Sequence, residues 1–85
     1  MEIKYTTKAL DDIKYWKKSG QTTIQKRIET IINEIVINPY TGIGKPEQLK
    51  HEFNGYWSRR INEEHRIIYK IDSDIVYIFS LKGHY

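Results

Sequence analysis

An α+β fold, a strand and two helices packed on an antiparallel β-sheet as one domain over residues 1–85, is predicted by a change of hydrophobic period along the chain. Up to Pro39 the apolar residues recur at helical spacing, and beyond Tyr56 they alternate. No linker, repeat or low-complexity tract separates the two halves, so both should share one core.

Glu2 to Tyr5 alternates polar and apolar residues and reads as a short strand. Thr6 or Thr7 then caps a helix whose apolar positions Ala9, Leu10, Ile13 and Trp16 recur at helical spacing, and Ser19 with Gly20 ends it. A second helix starts at Thr22, where Gln25 three residues later completes a capping-box pattern. Its stripe is Ile24, Ile28, Ile31, Ile32 and Ile35, and Asn38 is its exit before Pro39. Tyr40 to Pro46 is turn-rich, interrupted by Gly42, Gly44 and Pro46. Tyr56 to Ile61, Arg66 to Ile71 and Ile75 to Leu81 read as three strands of a meander, joined at Asn62 to His65 and at Asp72 to Asp74.

A chain of 85 residues, 39% hydrophobic and 13% aromatic, fills one small core and not two. The absence of cysteine removes a disulfide framework and any thiolate metal site, and favours a cytoplasmic address. The opening MEIKYTTKAL lacks the apolar run of a secretory signal, and no stretch approaches the roughly 20 apolar residues that span a bilayer, so no membrane association is expected. The net charge of +3 favours an anionic partner only weakly: residues 1–40 carry seven basic and five acidic side chains, residues 41–85 seven and six. Placement of charge must decide. No metal or cofactor is expected, because His51 and His65 lie far apart without acidic neighbours at ligand-like spacing, and GIGKPE has neither the spacing nor the Lys-Ser/Thr end of a phosphate-cradling loop.

The chemistry-bearing residues are Glu47, Lys50, His51, Arg59, Arg60, Glu63, Glu64, His65 and Arg66, together with His84 and Tyr85, which stand where a chain normally frays unless it is tied down. Arg60 and Arg66 flank the hairpin turn. With an odd loop of Glu63 to His65, Asn62 faces Arg66, and Arg60, Asn62 and Arg66 share one sheet face as a phosphate clamp; an even loop moves Arg60 to the other face. Either way these also read as solvated strand charges. Lys45 and Lys50 add positive potential. Glu47, after the Gly-rich loop, reads as an ordinary exposed carboxylate or as a base at the rim of the basic face, able to take the proton of a 2′-hydroxyl. His84 is a surface histidine or a general acid for a departing 5′-oxygen, and Tyr85 a base-stacking or phosphate-binding phenol or a plain surface residue. His65 is expected to order the hairpin loop rather than transfer protons and His51 to be a surface or packing residue, while Trp16 reads as core and Tyr56 and Trp57 as core and anchor residues in preference to a base-stacking platform.

The segment GIGKPEQLKHEFNGYWSRRINEEHRIIY, with the terminal HY and the earlier DDIKYW, resembles the YoeB family of toxin–antitoxin toxins, relatives of RelE. That resemblance implies a microbial-ribonuclease-like fold and a metal-free endoribonuclease cutting mRNA in the A site of the 70S ribosome. It also implies a cognate YefM-like antitoxin with a partly disordered acidic segment, leaves room for a homodimer, and gives DNA contact only through the antitoxin complex. Carried over by position, Glu47 is the implied general base, His84 the general acid and Arg66 the stabiliser of the pentavalent phosphate; Lys50, Arg60 and Tyr85 match RNA-binding positions. Gly83, just before the terminal pair, is expected to loosen the tail. The rival functions are an RNA- or ribosome-binding inhibitor that does not cut, and a repressor subunit acting within an antitoxin complex, although the chain lacks a recognisable helix-turn-helix reading head.

Overall fold

The computed structural model describes residues 1–83, so the expectations for His84 and Tyr85 fall outside the described residues. Strand β1 (Glu2–Tyr5) leads into helices α1 (Thr7–Ser19) and α2 (Thr22–Ile37). Strands β2 (Glu47–Gln48), β3 (Trp57–Arg60), β4 (Arg66–Asp72) and β5 (Ile75–Ser80) follow, with a single 3₁₀ turn at His51–Phe53. The sheet has five strands in the order β1-β5-β4-β3-β2 and is mostly antiparallel; β1 alone pairs parallel, Glu2 to Ile75 through Tyr5 to Ile78. No helix among the described residues is long and apolar enough to cross a membrane.

Both helices cover one face of the sheet. Ile28, Ile31, Ile32 and Ile35 of α2 meet Ile67, Tyr69, Val76 and Ile78 of the sheet in the buried core, with Ala9 and Trp16 from α1. Thr6 is the cap of α1: its hydroxyl accepts from Ala9 N at 3.1 Å and donates to Phe79 O at 2.7 Å, so one side chain both starts the helix and fastens it to β5. Gly20 closes α1 with φ 72°.

Two local expectations are corrected. Leu10 is exposed, and Asp12 is buried in its stead: the core face of α1 is Ala9, Asp12, Ile13 and Trp16, the i, i+3, i+4, i+7 set. The carboxylate is tolerated inside because it is partnered, accepting from Leu81 N at 2.9 Å, from Lys8 Nζ at 2.8 Å and from Ser80 Oγ at 3.4 Å. The Thr22–Gln25 capping box does not form. Gln21 occupies the cap position without a side-chain bond, and Gln25 Nε2 instead donates to Trp16 O at 2.8 Å, capping the end of α1. The connection between the helices is so short that closing α1 uses the group that would have opened α2.

Candidate active site

The face of the sheet opposite the helices is where Glu47, Arg60 and Arg66 meet. Along β3, Trp57 and Arg59 point to the helices, so Ser58 and Arg60 point away. Arg60 pairs directly with Arg66 across the β3–β4 ladder, placing both guanidiniums on the open face. The expected sharing of one face is therefore observed, but the expected register is not: Arg66 faces Arg60, two residues from the predicted partner Asn62. Asn62 sits in the turn, where its Oδ1 accepts from Glu64 N at 2.9 Å and His65 N at 2.7 Å, a use of the side chain that removes it from the ladder.

Glu47 lies in strand β2, not in a free loop. It pairs with Ser58, and the short strand is pinned at both ends, by Arg60 N donating to Gly44 O at 2.6 Å and Leu49 N donating to Tyr56 O at 2.9 Å. Gly44 has φ 81°, and a Cβ there would come within 3.0 Å of Arg60 O, so only glycine lets the loop approach β3 this closely. The result is an Arg66 Nη1 to Glu47 Oε2 separation of 3.8 Å, with Glu47 62% and Arg66 22% exposed. An exposed pair at this distance is worth only about 0–1 kcal/mol, so an incoming phosphate can take Arg66 at small cost. Lys50 and His51 are exposed and line a cleft of ≈ 280 Å³ that begins at Glu47. Arg60, Arg66 and Glu47 thus share the open face of β2, β3 and β4, and Lys50 lies along the cleft that leads away from Glu47.

His65 joins the loop through its backbone, its carbonyl accepting from Ile61 N at 2.9 Å and Asn62 N at 3.3 Å. Trp16 is core, while Trp57 and Tyr56 are half-buried, Trp57 tilted against Tyr40 and Tyr56 edge to face with Phe53 and Phe79. Gly83 is not loose. Its φ is 90°, its N donates to His65 Nδ1 at 2.9 Å and its O accepts from Arg66 N at 2.8 Å. Among the described residues no three His, Cys, Asp or Glu side chains gather as a metal cluster.

The role that sequence reasoning missed is that of Arg59, which the sequence groups with the other charged residues and the structure buries. Its side chain is 0% exposed and donates to Glu34 Oε1 (2.6 Å), Thr41 O (2.9 Å), Ile43 O (3.3 Å), Asn38 O and Tyr69 OH (3.2 Å). Glu34 in turn accepts from Ile43 N at 2.7 Å. The buried guanidinium therefore folds residues 38–43 into the shape that delivers Gly44 and Glu47 to the sheet. One signal was available: in the alternating run Trp57 to Ile61, adjacent arginines must point to opposite faces, so one of them is inside.

Tyr69 completes this network by donating to Pro39 O at 2.6 Å. Burial pushes its phenol above the ordinary value of 10.0, with the Arg59 hydrogen bond and charge opposing. Because the folded value is the raised one, its contribution to stability is full below the ordinary phenol range and is lost as pH rises through the folded value. In an absorbance titration, the difference between the wild type and Tyr69→Phe should be one phenol ionising above pH 10.0; a missing step at or below that value would contradict the assignment.

A family model described as YoeB-like toxin of bacterial type II toxin-antitoxin systems matches residues 5–85. The chain is 39% identical to Toxin YoeB of Escherichia coli O6:H1 over 85 residues, covering 100% of both chains. The fold is similar to that of the YoeB/ParE toxin from Agrobacterium tumefaciens (TM-score 0.95, 32% identity, 100% of both chains). It is also similar to the heterotetrameric YoeB-YefM complex from Staphylococcus aureus (TM-score 0.89, 40% identity, 100% of this chain and 98% of that one). The chain belongs to the YoeB-like toxins of bacterial type II toxin-antitoxin systems.

Proposed function

We propose that this toxin is a ribosome-dependent, metal-free endoribonuclease that cuts mRNA in the A site by general acid and base phosphoryl transfer. The observation that supports it best is the juxtaposition of Glu47 with Arg66, 3.8 Å apart, and with Arg60 directly across the ladder on an open, polar sheet face. A carboxylate beside two permanently charged forks matches what attack on a phosphodiester needs.

Glu47 removes the proton of a 2′-hydroxyl, and the 2′-oxygen attacks the adjacent phosphorus. Arg66, with Arg60, offsets the charge of the pentavalent phosphorane. The bond from phosphorus to the 5′-oxygen breaks, and His84, assigned by its match to the family motif, protonates that oxygen. The products are a 2′,3′-cyclic phosphate and a 5′-hydroxyl. Lys50 and Tyr85 hold the RNA. The natural inhibitor is a YefM-like antitoxin whose acidic, partly disordered segment covers this basic face, and through that complex alone the toxin is brought to DNA. The site of action is the cytoplasm.

Primer extension on mRNA from a translation extract tests the reading. The wild type should produce discrete new 5′ ends, and His84→Ala should lose them by roughly 10²- to 10⁴-fold. Inhibited translation with no new ends would replace the enzyme with a binding protein.

A further inference from the structure

We propose that His65 is a positioning residue for this reaction: its imidazole, accepting at Nδ1, holds Gly83 against Arg66 and so fixes the point from which the chain runs on to His84. The inference rests on the ribonuclease reading above and deepens it. Gly83 N donates to His65 Nδ1 at 2.9 Å, and Arg66 N donates to Gly83 O at 2.8 Å. Both backbone polar groups of one residue are therefore taken by two consecutive residues of the hairpin, one of which is the phosphate-binding arginine.

The direction of the first bond sets the tautomer. A backbone amide only donates, so Nδ1 must be the unprotonated nitrogen and the ring proton must sit on Nε2, which lies 3.6 Å from Glu64 Oε2. The ring is also fixed from the side: Trp16 packs against it edge to face at 4.9 Å and 84°, and Trp16 Nε1 donates to Leu81 O at 2.9 Å. Helix α1 and the hairpin turn thus converge on Leu81 and Gly83, between the end of β5 and the tail. Gly83 contributes its φ of 90°, which side chains rarely adopt; among the described residues beyond its chain neighbours no atom lies within 4 Å of where a Cβ would stand, so backbone conformation is what favours glycine here. His65 does not touch the reacting atoms in this account. It acts through Gly83, and a misplacement of about 1 Å in a reacting group is enough to cost on the order of 10²-fold in rate.

Two variants separate the acceptor from the packing. His65→Phe keeps a ring against Trp16 and removes the acceptor; His65→Asn puts an amide oxygen where Nδ1 stands. For His65→Phe the single-turnover rate on programmed ribosomes should fall about 10²-fold with KM within about twofold. The Gly83 amide, and with it the Arg66 amide that it holds, should exchange faster while the remaining β4 and β5 amides keep their protection. His65→Asn should recover both the protection and most of the rate. A folded His65→Phe that cuts like the wild type, or a folded His65→Asn that loses both the Gly83 protection and the rate, overturns the proposal. The exchange measurement needs no substrate, so it decides the clamp even if wild-type protein leaves mRNA intact, a result that overturns the ribonuclease reading instead.

Discussion

Glu47→Gln is expected to lower the single-turnover rate of mRNA cleavage by roughly 10²- to 10⁴-fold while leaving the unfolding midpoint where it is. The variant is nearly isosteric and keeps the β2 backbone pairing with Ser58, so the short strand still forms. What it loses is the proposed proton acceptor. Among the described residues the one ion pair it breaks is the contact with Arg66 at 3.8 Å, worth about 0–1 kcal/mol, too little to explain a lost activity through stability. Combining Glu47→Gln with His84→Ala should cost little more than either alone, since groups that act in one step are not additive. Cleavage by Glu47→Gln at the wild-type rate would remove Glu47 from the chemistry.

Arg59→Leu is expected to cost about 3–5 kcal/mol of stability, the largest structural effect of any single substitution considered. The guanidinium is fully buried, and its removal leaves Glu34 without its cation and the carbonyls of Asn38, Thr41 and Ile43 without that donor. A domain of this size has only about 5–15 kcal/mol to lose, and a cost of this order lowers Tm by about 12 °C or more. Lysine should not rescue it, because one ammonium cannot span five acceptors held in a planar fork. The neighbouring Arg60→Leu is the control: Arg60 is exposed on the other face, and its loss should shift stability by less than about 0.5 kcal/mol while weakening RNA cleavage. Equal melting behaviour of the two arginine variants by denaturant unfolding would contradict this division.

That contrast also shows where the sequence is and is not legible. The two helices, their order and the meander follow from the hydrophobic period, and the common face of Arg60 and Arg66 follows once the loop is odd, which it is in the structure even though the hairpin register differs by two residues. The register depends on turn chemistry. Asn62 has a side chain able to bond the turn amides, and once it does so the ladder ends at Arg60. Strand β2 was invisible because two polar residues, Glu47 and Gln48, carry no alternation; it is made by pairing with β3 and by the close approach of Gly44. Asp12 and Arg59 are charged residues at core positions, admitted because backbone and side-chain partners far along the chain satisfy them, and those partners exist only after folding. The same holds for Gly83, which composition reads as a flexible point and the fold turns into a doubly bonded one.

The central claim is that Glu47 deprotonates a 2′-hydroxyl whose oxygen then attacks the adjacent phosphate. It is tested most directly by presenting the wild-type toxin with ribosomes programmed by two mRNAs that differ in a single 2′-oxygen, at the nucleotide on the 5′ side of the scissile phosphate. The mRNA with intact ribose should be cut to a 2′,3′-cyclic phosphate and a 5′-hydroxyl, and the 2′-deoxy mRNA should stay whole. Cutting of the 2′-deoxy mRNA at a comparable rate would contradict the mechanism.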